Sequence, residues 1–287
     1  MLQLDRILFP VDFSQRCSAA APHVMTMARD FNAEVTMLNV LQMSPLWYGE
    51  FAPTELDKLD VQQLARSRQT ALDEYLCREL PQDAGVERVV EQGEPATVIA
   101  DYARRNAVKL IMMPTHGYGP FRRLLIGSVT AKVLHDAECP VWTDVHEETS
   151  FERDSRHSVL CAVDLNEESL PAIRWAAAFA RSFHSELTIV HAIPALAGPV
   201  SPGETRFRTF IADHARSYIA DLQEKAGTSA RVCVGGGKIA EAVRGAAIQH
   251  EAEVVVIGQG HLHEALGALR SNAYAIIRQS PCPVVRV

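Results

Sequence analysis

The chain has little of what most often announces a protein's chemistry. Its six cysteines, Cys17, Cys77, Cys139, Cys161, Cys233 and Cys282, are scattered through 287 residues, and none forms a CxxC pair. That excludes a disulfide scaffold and predicts reduced, partly buried thiols of a cytosolic kind. No window approaches the roughly 18 consecutive apolar residues of a membrane-spanning helix. The opening residues, Met1 to Ser14, carry no basic segment followed by a long apolar one, so no secretory leader is expected. Positive charge is also short, since 28 Lys and Arg stand against 35 Asp and Glu, a net charge of −7. Such a balance argues against non-specific nucleic-acid binding, which rests on neutralising phosphates. A GxSxG elbow, an HExxH pair and a Walker lysine are all missing, and no pair of acids is forced together. The expectation is a soluble, cytoplasmic protein with no membrane and no nucleic-acid partner.

What is present is an ordinary globular composition, 47% hydrophobic and 22% charged. At about 150 residues per domain, the length predicts two domains, each able to bury its own core. The chain also repeats itself. Arg6-Ile-Leu-Phe-Pro-Val-Asp-Phe-Ser14 returns as Ser158-Val-Leu-Cys-Ala-Val-Asp-Leu-Asn166, so Asp12 answers Asp164 and Ser14 answers Asn166. Ala33 to Val40 answers Ser185 to Ala192, Ala107 to Pro114 answers Glu251 to Gly258, and Cys139-Pro-Val141 answers Cys282-Pro-Val284. Four matches in the same order indicate a tandem duplication. The charged stretch from His146 to His157 suits a solvated linker. The organisation read from this is a first domain at 1–147, a linker at 148–156 and a second domain at 157–287.

Each copy alternates strand and helix. Ile7 to Val11 is a short apolar run suited to a strand buried on both faces, and Val108 to Met113 reads as the fourth strand. Between them, Ala20, Val24, Met27, Ala28 and Phe31 form one stripe at helical spacing. Ser14 or Ser18 caps that helix, and Pro22 favours the later start because proline suits only a first turn. In copy two, Pro171 after Ser169 points to a start there. Alternating strands and helices predict a parallel sheet covered by helices on both faces, with ligands bound beyond the strand ends where strand order reverses.

Three features converge on that edge. The first is Pro10-Val-Asp-Phe-Ser14, where Asp12 either meets a ribose hydroxyl or a phosphate-bound Mg²⁺, or merely organises the turn. The second is the loop from Pro114 to Thr130. Gly117 and Gly127 allow close backbone approach. Gly127-Ser128 opens a helix whose free N–H groups suit phosphate, and Ser128 and Thr130 add hydroxyl donors. His116 reads as a loop hydrogen-bonder before a catalyst, and Arg122 and Arg123 as solvated surface before ligand contacts. The third is Leu38-Asn-Val-Leu41 at the end of strand two, where backbone groups can read a flat base. In copy two, His261 and His263, with His250 nearby in sequence, raise a metal site that lacks a third ligand of convincing spacing. Gly235-Gly-Gly237 reads as a flexible turn.

These residues resemble the universal stress proteins in their tandem two-domain form, over nearly the whole chain. The resemblance is carried by the family's nucleotide loop, G-x2-G-x9-G-(S/T), here Pro114-x2-Gly117-x9-Gly127-Ser128. The P-x-D-x-S strand end and the terminal C-P-V strand carry it too. Proline stands where the first glycine belongs. In copy two His261 replaces the second glycine, and Arg270 or Ser271 falls at the third. The resemblance implies two Rossmann-like α/β domains, each with a five-stranded parallel sheet of order 3-2-1-4-5 and helices on both faces. It implies that copy one binds ATP, or ADP or AMP, with Mg²⁺ at Asp12. Val40 then presents backbone to adenine, and Gly117, Gly127, Ser128, Val129 and Thr130 hold ribose and phosphates. Pro10, Val11, Met113 and His116 serve as wall contacts. Copy two becomes a structural partner. The terminal strands, Val141-Trp-Thr143 and Val284-Val-Arg286, pair the copies as a pseudo-dimer, and a homodimer of chains stays open. The expected function is a stress-response regulator with at most slow ATP hydrolysis. The alternative is a nucleotide-independent stress adaptor acting on an unidentified protein partner.

Overall fold

A computed structural model of the protein describes residues 2–42, 55–77, 79–80, 85–115, 126–144, 158–198, 204–259 and 268–287. The chain divides into two compact units, Gln3–Val141 and one that takes in Trp142–Val287. The first unit contains β1 (Arg6–Pro10), α1 (Gln15–Phe31), β2 (Glu34–Leu41), α2 (Glu55–Glu74), β3 (Val86–Gln92), α3 (Pro95–Arg105), β4 (Leu110–Pro114) and α4 (Ser128–Asp136). β1 pairs in parallel with β2 and with β4, and β2 with β3, giving the order β3-β2-β1-β4. β5 (Val141–Asp144) opens at the unit's last residue, just after the Pro140 carbonyl accepts the Ile111 N–H at 2.9 Å.

The second unit holds β6 (Ser158–Ala162), α5 (Leu170–Ser182), β7 (Glu186–Ile193), α6 (Thr205–Ala226), β8 (Arg231–Gly236), α7 (Ile239–Gln249), β9 (Val254–Ile257), α8 (Ala268–Gln279) and β10 (Val284–Arg286). Its strands run β10-β9-β6-β7-β8, the expected 3-2-1-4-5 order read from the other end, with parallel pairings. Trp142 packs in this unit against Phe179 at 6.0 Å between ring centroids, and Phe179 stacks on Trp175 at 5.0 Å. The Thr143 hydroxyl donates to the Val284 carbonyl at 3.0 Å.

The strands that read as unbroken apolar runs are the central ones. Every residue of β4 and of β9 is buried, and so is β1 beyond Arg6. A strand covered by helices on both faces needs apolar side chains in both directions, which is why these runs do not alternate. The helix after β1 uses the earlier of its two candidate caps. Ser14 Oγ accepts the Cys17 N–H at 3.3 Å, so α1 starts at Gln15 and Pro22 lies inside it. The expectation drawn from Pro22 is therefore corrected. Pro22 leaves the Ser18 carbonyl without its helical donor, a cost offset by the cap together with the buried face of Cys17, Ala20, Ala21, Val24, Met27 and Ala28. In the second unit Pro171 does sit in the first turn of α5.

Two local features yield measurable consequences. The triple glycine closes β8 and is no loose linker. A Cβ on Gly236 would come within 2.7 Å of the Leu196 carbonyl carbon, and Gly237 has φ +110°. Gly245, inside α7, has open space around its Cα. Gly236→Ala is expected to cost about 1–3 kcal/mol through that backbone collision. Gly245→Ala should add about 0.5–1 kcal/mol by relieving the helix of a flexible residue. Urea titration of the two variants checks both signs.

Glu94 caps α3 by accepting the N–H groups of Ala96 and Thr97, and it also accepts from the Thr97 hydroxyl and from Lys132 of α4. The Thr97 hydroxyl above all, with Lys132 and the cap amides, lowers its pKa from 4.5 to about 2. A carboxylate held below its unfolded value stabilises the fold above that value, and the contribution fades as acid protonates it. The stability difference between the wild type and Glu94→Gln should thus be full at pH 7. It should narrow as pH falls from about 4.5 towards about 2, read by thermal unfolding across that range.

Candidate functional site

The carboxyl ends of β1, β2 and β4 and the amino end of α4 enclose one cavity of about 370 Å³ in the first unit. It lies between β1 and β4, neighbours whose connections leave in opposite directions, the position where open α/β sheets bind ligands. Of the residues singled out in the sequence, Pro10, Val11, Asp12, Val40, Met113, Gly127, Ser128, Val129 and Thr130 all line it. His116 and Gly117 lie outside the described residues, as do Arg122 and Arg123. Leu38, Asn39, Gln42, Cys17, Pro95, Ile99 and Pro114 complete the described wall. Asp12 is the one charged side chain among the described lining residues.

Asp12 is held from one side. Its Oδ1 accepts the Ser14 N–H at 3.0 Å and the Cys17 thiol at 3.2 Å, while Oδ2 has no hydrogen bond among the described residues. Burial first, and then the charge of Asp12, push the Cys17 thiol up to about 12. Between Asp12 and Ser14 stands Phe13, at φ +64°, a conformation that a bulky residue rarely adopts. Tyr75 braces it edge-on at 5.0 Å and Arg68 lies over its ring at 5.5 Å. The Tyr75 hydroxyl also donates to the Ser14 carbonyl at 3.0 Å. Strain of this kind persists where the surroundings over-determine it, commonly at ligand sites.

The anion end is built from backbone. The Ala131 N–H donates to the Gly127 carbonyl at 2.8 Å, the first intrahelical bond of α4. The amides of Ser128, Val129 and Thr130 precede it and have no partner within the helix. Three N–H groups at the positive end of a helix are suited to a phosphate. Two groups expected to join them are already used. Gly127 N–H donates to the Thr115 carbonyl at 2.8 Å, and Thr130 Oγ1 donates to the Pro114 carbonyl at 3.1 Å. The Thr130 hydroxyl therefore shapes the loop, and only its amide is free for a ligand. These bonds also show how Pro114 is tolerated: it ends β4, buried, with its carbonyl fastened to α4.

The flat end of the cavity is made by β2. Leu38 turns its carbonyl toward β1, where the Val11 N–H donates to it at 2.9 Å. Leu41 turns its carbonyl toward β3, where the Gly93 N–H donates to it at 3.1 Å. Successive residues of a strand alternate sides, so Val40 faces the β1 side. The β1 ladder ends at the pair Pro10–Leu38, leaving the Val40 N–H and C=O side by side beyond the last paired residue. A donor next to an acceptor matches the edge of a planar heterocycle.

The second unit carries the same construction in reduced form. Its cavity is about 90 Å³, lined by Asp164, Asn166, His191, Ala192, Gly258 and Asn272 among others. Leu165, which answers Phe13, is not among the residues with left-handed φ, and the Asn166 N–H closes a turn on the Asp164 carbonyl at 2.9 Å. α8 begins at Ala268. With Ile276 aligned on Val133, that start lies three residues earlier than the start of α4. Positions 272 and 273, which answer Val129 and Thr130, then fall past the first turn, where intrahelical bonds take their amides. His261 and His263 lie outside the described residues, as do the side chains of Arg270 and Ser271. No group of three or more His, Cys, Asp or Glu able to hold a metal occurs among the described residues. No helix among them is long and apolar enough to cross a membrane.

Sequence reasoning noted the strand end at Leu38 to Leu41 for its backbone but missed the Asn39 side chain. It also missed Cys17. A signal for the first existed in the repeat: Asn39 answers His191, two side chains of similar reach at one register position.

The sequence profile of the universal stress protein family matches residues 3–144 and again 155–287. A universal stress protein of Methanocaldococcus jannaschii is 32% identical over 138 residues, 47% of this chain and 79% of that protein. One from Thermus aquaticus is 27% identical over 135 residues, 47% of this chain and 94% of that protein. Among solved structures, a universal stress protein of Archaeoglobus fulgidus superposes with a TM-score of 0.67 at 19% identity, covering 99% of this chain and 96% of that one.

Thr130→Val keeps the shape of the side chain and removes the bond to the buried Pro114 carbonyl. It should lower stability by about 1–3 kcal/mol, the cost of an orphaned buried acceptor, while Thr130→Ser retains most of it. Chemical denaturation of the pair checks the assignment.

Proposed function

The chain belongs to the universal stress protein family, with one family domain in each half, and on that premise we propose that its first copy binds an adenine nucleotide, ATP or one of its hydrolysis products. One observation carries the reading: a backbone donor and acceptor at Val40 and three α4 amides, all without partners among the described residues, surround with the Asp12 carboxylate a single cavity of ligand size. The base would lie against Val40, the ribose near Asp12 and Gly127, and a phosphate on Ser128, Val129 and Thr130. His116 and Gly117 would complete the loop. Where Mg²⁺ accompanies the nucleotide, Asp12 Oδ2 is the available protein oxygen. A single carboxylate suits an ion held mainly by phosphates and water. The base and nucleophile that meet in the described wall, Asp12 and Cys17, are not an activated pair, because burial and the Asp12 charge push the thiol up to about 12, so nucleotide occupancy would act as a regulatory state, with hydrolysis at most slow.

The second copy would bind no ordinary nucleotide, a reading supported by its smaller cavity and the early start of α8. Domain limits at 1–147 and 157–287, with a linker at 148–156 outside the described residues, belong to the same proposal. So does pairing of the two copies through their terminal strands, Val141-Trp-Thr143 and Val284-Val-Arg286, which the family resemblance implies. The six free thiols suit a cytoplasmic setting.

Mass spectrometry of small molecules released by denaturing the purified chain, with calorimetry of added Mg-ATP, tests the reading. About one adenine nucleotide per chain is expected, lost in Gly127→Arg while the fold is kept, since a side chain there fills the phosphate turn. Asp12→Asn should weaken binding by roughly tenfold, the worth of one charge-assisted contact. No released nucleotide and no binding of Mg-ATP would overturn the proposal in favour of a nucleotide-independent adaptor.

A further inference from the structure

Asn39 is a costly residue in an unusual place. It is 5% exposed on β2, in the wall of the cavity, and its Oδ1 is buried with no hydrogen-bond partner among the described residues. A buried acceptor left unpaired is destabilising, and a native structure that keeps one invites an explanation. The other end of the amide supplies it. Asn39 Nδ2 donates to the Val11 carbonyl at 2.7 Å.

That carbonyl is the next rung of a ladder that stops. Val11 N–H donates to the Leu38 carbonyl, and in a parallel pairing the same residue then accepts from the amide two positions further along the neighbouring strand. Here that amide is Val40 N–H. The described residues show no such bond, because the Asn39 side chain holds the Val11 oxygen. The second unit repeats the arrangement with different chemistry. Val163 N–H donates to the Val190 carbonyl at 3.0 Å, and His191 Nδ1 lies 2.8 Å from the Val163 carbonyl. A carbonyl only accepts, so Nδ1 is the protonated ring nitrogen. Two side chains of different type reach the same carbonyl, at the same register, one strand away.

We propose that Asn39 is a positioning residue: by occupying the Val11 carbonyl it stops the β1–β2 ladder one rung early and keeps the Val40 N–H open for the edge of the bound base. This deepens the nucleotide reading and rests on it for the identity of the ligand. The stopped ladder itself rests on the structure alone.

Amide hydrogen exchange resolved by NMR tests the ladder without any ligand. In the wild type the Val40 amide should exchange far faster than those of Met37 and Leu38 within the strand. In Asn39→Leu, which replaces the half-satisfied amide with an apolar side chain of similar size, Val40 should become protected. Global stability should hold or rise. Affinity for Mg-ATP should fall about tenfold, the loss of one base hydrogen bond. Asn39→His, the residue used in the second unit, should restore both the exchange and the affinity to within about twofold, by supplying the same donor. A Val40 amide already as protected as its neighbours in the wild type would overturn the proposal, and needs no variant to fold. So would an Asn39→Leu protein with unchanged exchange and affinity. If the wild type binds no Mg-ATP yet shows the open amide, the nucleotide reading fails and the positioning role stands.

Discussion

Main-chain groups that the fold cannot pair determine what this protein can do. A parallel sheet whose strand order reverses must leave backbone donors and acceptors unmet at its carboxyl edge, because neighbouring strands end at different heights and their connections diverge. In the first unit β1 ends at Pro10 while β2 continues to Leu41. The helix that follows β4 opens with three amides that have no partner among the described residues. The result is a rim of backbone polarity around an apolar cavity, with Asp12 as the one charged side chain among its described residues. Recognition by backbone has a consequence for sequence: most of the residues that would touch a ligand do so through atoms every residue has. What is constrained is the conformation of the turns, by Ser14, Gly127, Thr130 and Asn39.

Much of this was legible in the residues. The apolar runs of β1 and β4, the duplicated Val-Asp after β1, and the Gly127-Ser128 start of a helix all point to the sheet edge where the cavity lies. Fold legibility came from periodicity and repetition, which are local properties. What stayed hidden depends on contacts across the chain. Pro22 reads as a helix start from its own chemistry, yet the Ser14 cap, reinforced by the Asp12 turn, sets the start earlier. Thr130 reads as a phosphate donor, yet its hydroxyl is spent on Pro114, 16 residues away. Asn39 shows itself only by comparison with His191 in the repeat, since taken alone an asparagine in a strand looks the same whether its amide meets water, a ligand or a carbonyl on the next strand.

The duplication supplies an internal comparison in which the scaffold is shared and the site differs. Left-handed residues recur in register, Asn32 with His184 and Ala107 with Glu251, so the turns that serve folding have been kept in both copies. Phe13 has no such counterpart among the described residues. The strained turn thus occurs in the unit with the open cavity. In the other unit the equivalent turn is relaxed, the helix starts early, and the cavity is a quarter of the size. Strain, free amides and open volume were retained together or lost together, as expected if they serve one ligand.

Cys17 carries a last consequence. Its thiol lines the cavity, yet burial and the Asp12 carboxylate hold its pKa near 12. The protonated thiol is thereby favoured at neutral pH, and it is the thiolate that peroxides, nitrosating agents and soft metals attack. Cys77, by contrast, is exposed. An oxidant would therefore meet the thiol of Cys77 well before the one in the cavity wall, so the lining of the cavity outlasts oxidation of the exposed surface.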